Sequence, residues 1–461
     1  MNAVSSKELD KLIKKQRDFF STGETRDVGS RKEYLKKLQT AIKENEKEII
    51  SALYSDFRKS SFETYTSEIG TVLVELGETL RKIKKWSRVQ RAATPVTHMP
   101  GKSRVYPEPY GVVLVISPWN YPFNLAMAPV IGALSAGNTV LLKPASASPA
   151  TSKVMNNIIS SVFPEEYVKV LLGEEIKHTL LDYEYDYIFF TGGPEVGRDV
   201  MTKAAKYLTP VTLELGGKSP CIVADDADIK TAARRIVWGK FFNCGQTCVA
   251  PDYMLVTEKI KNKLFEQMKS ELEKVYGANP EKSPDFARVI SDRHWVRIEK
   301  LLHRGDIVTG GDVEQSARYI APTIIDNVKP DDPVMQEEIF GPVLPVITVT
   351  SMDEAVKFIN GRPKPLALYL FTRSNKLKKK FMTETSSGGG CINDTLMHFP
   401  NGHLPFGGVG LSGMGQYHGK KSFDTFTHYK GIYHNVNWID VPLRYAPYTN
   451  SGMKIIKMFL K

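Results

Sequence analysis

From about residue 111 the chain alternates short, wholly apolar runs with helix-forming stretches, and this alternation restricts the fold more than any other feature. The runs are Val112 to Ile116, Thr139 to Leu142, Val168 to Leu172 and Tyr187 to Phe190. A strand that is apolar at every position is buried on both faces, the condition of a parallel sheet covered by helices on both sides. A doubly wound α/β domain follows, and its ligand contacts belong in the loops at the carboxyl ends of the strands. Between the first two runs, Phe123 to Ser135 reads as a helix that stops at Gly137, where a left-handed residue serves as its cap. A second α/β unit is expected to open near Val211 with a Val-Thr-Leu-Glu-Leu strand and to run to about Gly410.

The first 83 or so residues are charged and carry apolar residues at helical spacing, as in Tyr34, Leu35, Leu38 and Ile42, so they read as a layer of amphipathic helices. Segments 86–108 and 425–442 are polar and aromatic with strand-like stretches that belong to neither unit, which suggests an oligomerising hairpin. The division expected is 1–85 with 109–210 as one domain, 211–415 as another, the hairpin segments between, and a tail over 443–461. That tail is basic and amphipathic at its end; packing against its own protein is the expected role, contact with a membrane surface the other reading. No apolar run approaches the roughly 20 residues that span a bilayer, and the N-terminus lacks the apolar core of a signal peptide, so export and a transmembrane anchor are not expected. The net charge of +11 comes from 62 basic and 51 acidic residues scattered along the chain, without the basic, aromatic stripe of a nucleic-acid binder. Four cysteines, Cys221, Cys244, Cys248 and Cys391, are too few for a disulfide framework and match no zinc spacing; reduced thiols in a cytoplasmic setting fit best, with no metal.

Chemistry concentrates around Phe241-Phe242-Asn243-Cys244-Gly245-Gln246-Thr247-Cys248. A glycine shortly before a thiol lets backbone N–H groups turn toward a developing negative charge, and Cys248 is the candidate nucleophile; Cys244 is treated as a neighbour. Glu214 ends a buried-looking strand just before Gly216-Gly217, where partial desolvation raises a carboxyl toward the range of a general base; an ion pair with Lys218 is the alternative. Asn120 offers an amide donor in the Pro118-Trp119-Asn120-Tyr121-Pro122 turn. The strand ending at Thr191 opens into Gly192-Gly193-Pro194-Glu195-Val196-Gly197 and a helix to about Tyr207, so phosphates can approach a helix N-terminus.

With Glu214-Leu-Gly-Gly-Lys218, Gln336-Glu-Glu-Ile-Phe-Gly-Pro342, Pro405-Phe-Gly-Gly-Val-Gly-Leu-Ser-Gly-Met-Gly415 and Tyr417-His-Gly-Lys-Lys-Ser-Phe-Asp424 following in order, the chain resembles the aldehyde dehydrogenases almost end to end, in detail their class 3 branch for fatty and aromatic aldehydes. The resemblance implies a Rossmann-type cofactor domain, an α/β catalytic domain and a small oligomerisation hairpin, in a homodimer. It implies NAD(P)-dependent oxidation of aldehydes to carboxylic acids through a thiohemiacetal and a thioester. Cys248 would attack, Asn120 and the Cys248 N–H would hold the oxyanion, and Glu214 would activate water. Glu338 would hold the nicotinamide ribose, with Phe340 beside it, and would share the base role in some class 3 readings. Trp119 and the Gly192, Gly193 and Gly197 loop would meet the cofactor, the glycine at 193 lacking a hydroxyl often seen there. Lys143 would reach the adenosine ribose. Where the family often carries a glutamate three residues later, this chain has Ser146, which leaves room for a 2′-phosphate. NADP preference and continued NAD dominance are both compatible with that change. Trp119, Tyr121, Met397 and Phe399 suggest a funnel for medium or long aliphatic, or aromatic, aldehydes. A cofactor-independent thiol esterase, a silent protein on this fold and an acyl-CoA-forming variant are the competing readings. The cofactor residues argue against the first, retention of Cys248 and Glu214 against the second, and a hydrolytic base against the third.

Overall fold

The computed structural model describes residues 6–174 and 179–460; Met1–Ser5 of the expected leading helix and Lys461 of the tail lie outside the described residues. The amphipathic N-terminal pattern forms helices Ser6–Ser21, Val28–Glu44, Glu46–Phe57 and Gly70–Trp86, the last entered through the short helix Ser61–Thr64 and a single π turn, Tyr65–Ile69. Asp27 caps the second by accepting the Ser30 N–H. Gln90–Ala92 (β1), Lys102–Pro109 (β2) and Thr427–His434 (β18) make an antiparallel sheet in the order β1-β2-β18, with Thr427 opposite Pro109 and His434 opposite Lys102. The two leftover segments of the sequence thus meet as strands.

Val112–Ile116 (β3), Thr139–Lys143 (β4), Val168–Val170 (β5), Tyr187–Thr191 (β6) and Val211–Glu214 (β7) are parallel, and Gly413–Met414 (β17) adds antiparallel to β7, in the order β17-β7-β6-β3-β4-β5. The Val211 strand expected to open the second unit therefore belongs to the first sheet. It pairs with β6 from Ile188 opposite Val211 to Thr191 opposite Glu214. The second sheet contains Pro220–Val223 (β8), Tyr253–Thr257 (β9), Asp306–Thr309 (β10), Thr323–Asp326 (β13), Val343–Val349 (β14), Ala367–Phe371 (β15) and Gly389–Ile392 (β16), ordered β10-β13-β14-β9-β8-β15-β16, with only β10 antiparallel. Val313–Glu314 (β11) and Tyr319–Ile320 (β12) form a separate ribbon.

One continuous core takes in side chains from both sheets, among them Val113 and Phe189 of the first and Met254 and Leu368 of the second. The helix Asn124–Ala136 is buried along its whole length, as its apolar run Leu125 to Leu134 requires, and ends at Gly137 with φ 103°. In the first sheet β3, β4 and β5 step one way and β6 and β7 the other. The order reverses between β3 and β6, and a crevice at such a reversal receives ligands. The C-terminal helix Asn450–Phe459 departs from its expected packing: only Gly452 is buried, and Met458 and Phe459 stand in solvent.

Candidate active site

The loops that leave β3 and β6 carry Trp119-Asn120 and Gly192-Gly193, and β7 ends on Glu214, so the topology brings these residues to the same end of the sheet at the reversal point. The turn that carries the candidate nucleophile Cys248 meets them at Asn120. It leaves the helix Ile229–Phe241 and passes through three consecutive left-handed residues, Asn243 (φ 53°), Cys244 (φ 54°) and Gly245 (φ 71°). Left-handed backbone costs an ordinary residue roughly 1–2 kcal/mol, so this turn needs fastening. Asn243 Nδ2 donates to Asn120 O at 2.8 Å and to Gln246 O at 3.1 Å. Gln246 Nε2 donates to Arg288 O at 3.0 Å, and its Oε1 accepts the Ile290 N–H at 3.0 Å. Asn120 Nδ2 donates to Gln246 O at 3.0 Å, which fixes the plane of the amide and leaves its second N–H free to point elsewhere. The Tyr121 hydroxyl lies 2.6 Å from Thr247 Oγ1.

Cys248 is partly exposed, on the wall of an apolar cavity of about 340 Å³ whose other walls include Phe62, Tyr121, Trp238, Phe242, Met397 and Phe399. Its own N–H and that of Val249 point at the sulfur. Burial raises the thiol's pKa, and Glu338 and then Glu214 add to the effect, so both carboxyl groups stand within electrostatic reach of the sulfur. Glu214 is buried with no hydrogen-bond partner on either oxygen, and burial alone lifts its carboxyl well above the usual range. The alternative ion pair with Lys218 does not form: Lys218 bonds Asp252, Val334 O at 2.8 Å and Glu337 O at 2.9 Å. Glu338 lies over Gly216, where any side chain would collide with its carboxylate, and accepts the Gly217 N–H. Burial first and Asp252 second push its carboxyl up to about 8.

Trp119 packs edge-on against His294 and Phe340, with ring centroids 4.8 and 5.3 Å apart. It is therefore absent from the apolar cavity where the sequence reading placed it beside Tyr121, Met397 and Phe399, which do line the wall. Burial lowers His294 to about 4, so the ring beside Trp119 is neutral at ordinary pH. Lys143 ends β4 and is buried, its ammonium donating to Pro144 O at 2.8 Å, while Ser146 is exposed. The helix Pro194–Ala205 starts with no side-chain cap, and the space above Gly193 is open. Gly197 is closed against Leu215, a contact that lets this helix lie on the strand. An uncapped helix N-terminus beside a side-chain-free loop at the reversal point fits a dinucleotide pyrophosphate, and the ring of Phe340 and the carboxylate of Glu338 fit its nicotinamide end. Among the described residues no group of three or more His, Cys, Asp or Glu side chains is arranged to hold a metal.

Sequence reasoning missed Phe62, Trp238, Phe242 and Leu396 of the cavity wall. Phe62 is 76% exposed, in the layer read as amphipathic helices, so a large apolar residue on the polar face was the available signal there; Trp238, 38% exposed, gave none.

A family model described as "Aldehyde dehydrogenase family" matches residues 1–432. The chain is similar to "4,4'-diaponeurosporen-aldehyde dehydrogenase" of Staphylococcus aureus, 46% identical over 464 residues and covering 100% of both chains. It is also similar to "Aldehyde dehydrogenase, dimeric NADP-preferring" of Mus musculus, 47% identical over 421 residues, with 91% of this chain and 93% of the relative covered. Among solved structures, "Substrate bound state of Staphylococcus Aureus AldH" superposes with a TM-score of 0.97 at 45% identity, covering 100% of both chains.

Proposed function

The chain belongs to the aldehyde dehydrogenase family, oxidising aldehydes with NAD or NADP, and from that premise we propose that Cys248 is the nucleophile, Asn120 the oxyanion donor and Glu214 the hydrolytic base. The observation that carries this reading is the position of Cys248: it lines an apolar cavity and stands within electrostatic reach of both Glu338 and Glu214. An aldehyde held in the cavity presents its carbonyl carbon to the sulfur. A carboxyl group of raised proton affinity takes the thiol proton as the C–S bond forms. The free N–H of Asn120 and the Cys248 N–H then receive the negative oxygen.

When bound, the nicotinamide supplies the acceptor for the hydride that leaves the tetrahedral carbon. Cys248 is left carrying a thioester. Glu214 takes a proton from water as the water attacks that carbonyl, and the thiol is regenerated with release of a carboxylic acid. Of the two carboxyl groups, Glu214 suits the base role because neither oxygen is engaged, whereas Glu338 is tied to Gly217 and suits the ribose.

The lining of the cavity favours medium to long aliphatic or aromatic aldehydes. Lys143, Trp119, Gly192, Gly193, Gly197, Glu338 and Phe340 hold the dinucleotide, and Ser146, exposed at the edge of the adenosine site, accepts a 2′-phosphate. The division into a cofactor domain, a catalytic domain and an oligomerisation sheet is part of the same reading. Its boundary with the catalytic domain falls after Glu214, since β7 belongs to the cofactor sheet. The β1-β2-β18 sheet, with an exposed Tyr433 and Ile432 on its edge strand, serves a homodimer. Four free cysteines suit a reducing, cytoplasmic compartment, and no described helix is long and apolar enough to cross a membrane.

The test is reduction of NAD and of NADP by an aliphatic aldehyde, for the parent and for Cys248→Ser. Formation of reduced cofactor that disappears in the variant supports the assignment. Unchanged turnover in the variant refutes it.

A further inference from the structure

Beneath the oxyanion turn lies a group of charged side chains that the mechanism does not use. Lys59 and Glu68 are both completely buried and joined by a 2.7 Å ion pair. Glu68 sits in the π turn Tyr65–Ile69, and its second oxygen accepts the N–H groups of Phe123 at 3.1 Å and Asn124 at 2.9 Å. Asn124 Nδ2 returns to Ser67 O at 3.0 Å. The Lys59 ammonium stands 4.2 Å from the centre of the Tyr121 ring, whose hydroxyl holds Thr247. Glu63, also buried, accepts the N–H of the left-handed Asn243.

Burying an ion pair is a poor way to stabilise a fold, because desolvation offsets most of the attraction and apolar residues of similar size serve as well. What apolar residues cannot do is orient backbone N–H groups and fix an aromatic ring by its face. Apart from the Phe57 ring, 5.0 Å from the Lys59 ammonium, the contacts of this group converge on one place. Tyr121, Phe123 and Asn124 lie within four residues of Asn120, while Asn243 and Thr247 belong to the turn that delivers Cys248. The group therefore braces both halves of the oxyanion hole against one buried anchor in the N-terminal helical layer. π turns recur at functional sites, and this one carries the anchoring carboxylate.

We propose that Lys59 and Glu68 are positioning residues for acylation, fixing the Asn120 loop relative to the nucleophile turn through Tyr121, Phe123 and Asn124. The proposal rests on the assignment of Cys248 and Asn120 above. Removing either charge lets the two halves of the hole drift, although neither Lys59 nor Glu68 itself lines the apolar cavity.

Glu68→Gln keeps the shape of the anchor and removes its charge, Lys59→Met removes the cation, and Tyr121→Phe removes only the link to Thr247. For each folded variant the rate constant of the first-turnover burst of reduced cofactor is measured with an aliphatic aldehyde and NADP. Hydrolysis of 4-nitrophenyl acetate without cofactor and alkylation of Cys248 by iodoacetamide are measured beside it. The expected result is a burst roughly 10–100-fold slower for Glu68→Gln and several-fold slower for Tyr121→Phe, with ester hydrolysis falling in parallel. For Glu68→Gln, KM for aldehyde and for cofactor, and the alkylation rate, which needs no oxyanion hole, stay within about threefold; Tyr121→Phe, at the cavity wall, is judged by its burst and alkylation rates alone. If Lys59→Met does not fold, Glu68→Gln and Tyr121→Phe decide. Folded variants with parental burst rates overturn the proposal, as does a slower burst accompanied by equally altered alkylation, the mark of general loosening. Cys248→Ser separates the two levels: a burst that survives it removes the mechanism itself, whereas a burst that it abolishes, with Glu68→Gln unaffected, removes only the positioning role.

Discussion

Lys240 offers a sharp test of how the fold treats charge around its reactive thiol. It lies in the last turn of the helix that leads into the nucleophile turn, wholly buried, with no hydrogen-bond partner on its ammonium group. Burial lowers it from 10.5 to about 8, Lys218 helping and Asp252 opposing. Above about pH 10.5 neither the folded nor the unfolded chain carries the proton, and the residue costs nothing through ionisation. Between 10.5 and 8 only the unfolded chain takes the proton up, so stability falls as the pH falls; below 8 both are protonated and the penalty is complete. At about 1.36 kcal/mol per tenfold change in proton affinity, the full penalty is about 3 kcal/mol. Lys240→Met keeps a flexible chain of similar length and removes the charge. It should raise stability by about 3 kcal/mol near pH 7 and by about 1 kcal/mol near pH 10, where most of the penalty has gone. Urea unfolding followed by circular dichroism at both pH values, comparing midpoints for parent and variant, reads this directly. The change with pH is the decisive quantity, since any packing defect from methionine is common to both conditions. Equal effects of the variant at the two pH values would refute the argument and mean that the ammonium group is solvated or paired in the folded protein.

Other expectations follow from the same geometry. Glu214→Gln should keep a first-turnover burst of reduced cofactor while lowering steady-state turnover by roughly 10²–10⁴-fold, since only hydrolysis loses its base; rapid-mixing absorbance reads both phases. Ser146→Glu should lower kcat/KM for NADP by at least about tenfold, through repulsion of a 2′-phosphate, with little loss for NAD; parallel saturation curves with the two cofactors decide. Phe62→Asp should reduce kcat/KM for a long aliphatic aldehyde by roughly 10–100-fold and leave a two-carbon aldehyde nearly unchanged, the loss being that of one large apolar contact at the cavity mouth.

The parts of this molecule that could be read from its sequence are those that physics fixes locally. Val112–Ile116 is a strand at the expected bounds because an unbroken apolar run bordered by Gly111 and Ser117 has few other options. Gly137 takes the left-handed conformation expected of a helix cap, at φ 103°. What could not be read is partnership. The strand Val211–Glu214 looks like the opening of a new unit, but its hydrogen bonds go back to β6 and forward to β17, two hundred residues later in the chain. Lys59, Glu63 and Glu68 read as the solvated face of amphipathic helices, because nothing in helical periodicity distinguishes a charge in water from one buried against another element. The same blindness left an ion pair of Glu214 with Lys218 open until the fold assigned Lys218 to Asp252. Cys248, Glu214 and Asn120 stood out in the sequence as separate motifs; their meeting required the reversal of strand order between β3 and β6.

That reversal also explains why so many ionisable groups near the thiol sit in the wrong medium for their charge. Cys248 lines the apolar cavity and lies within electrostatic reach of Glu338 and Glu214, beside the one core that the two sheets share. Glu214, Glu338 and Glu63 all take up protons more readily there, and Lys240 less readily, each with burial as the leading cause. A carboxyl group that resists ionisation is an inefficient contributor to stability and an effective proton acceptor, because transfer of a proton to it relieves the cost of its charge. The buried charges divide accordingly by whether they have partners. Lys59 and Glu68 satisfy each other and orient backbone, which suits positioning. Glu214, with both oxygens unengaged, gains most from accepting a proton, which suits chemistry. On this argument, giving Glu214 a permanent hydrogen-bond donor would stabilise the fold and slow hydrolysis together.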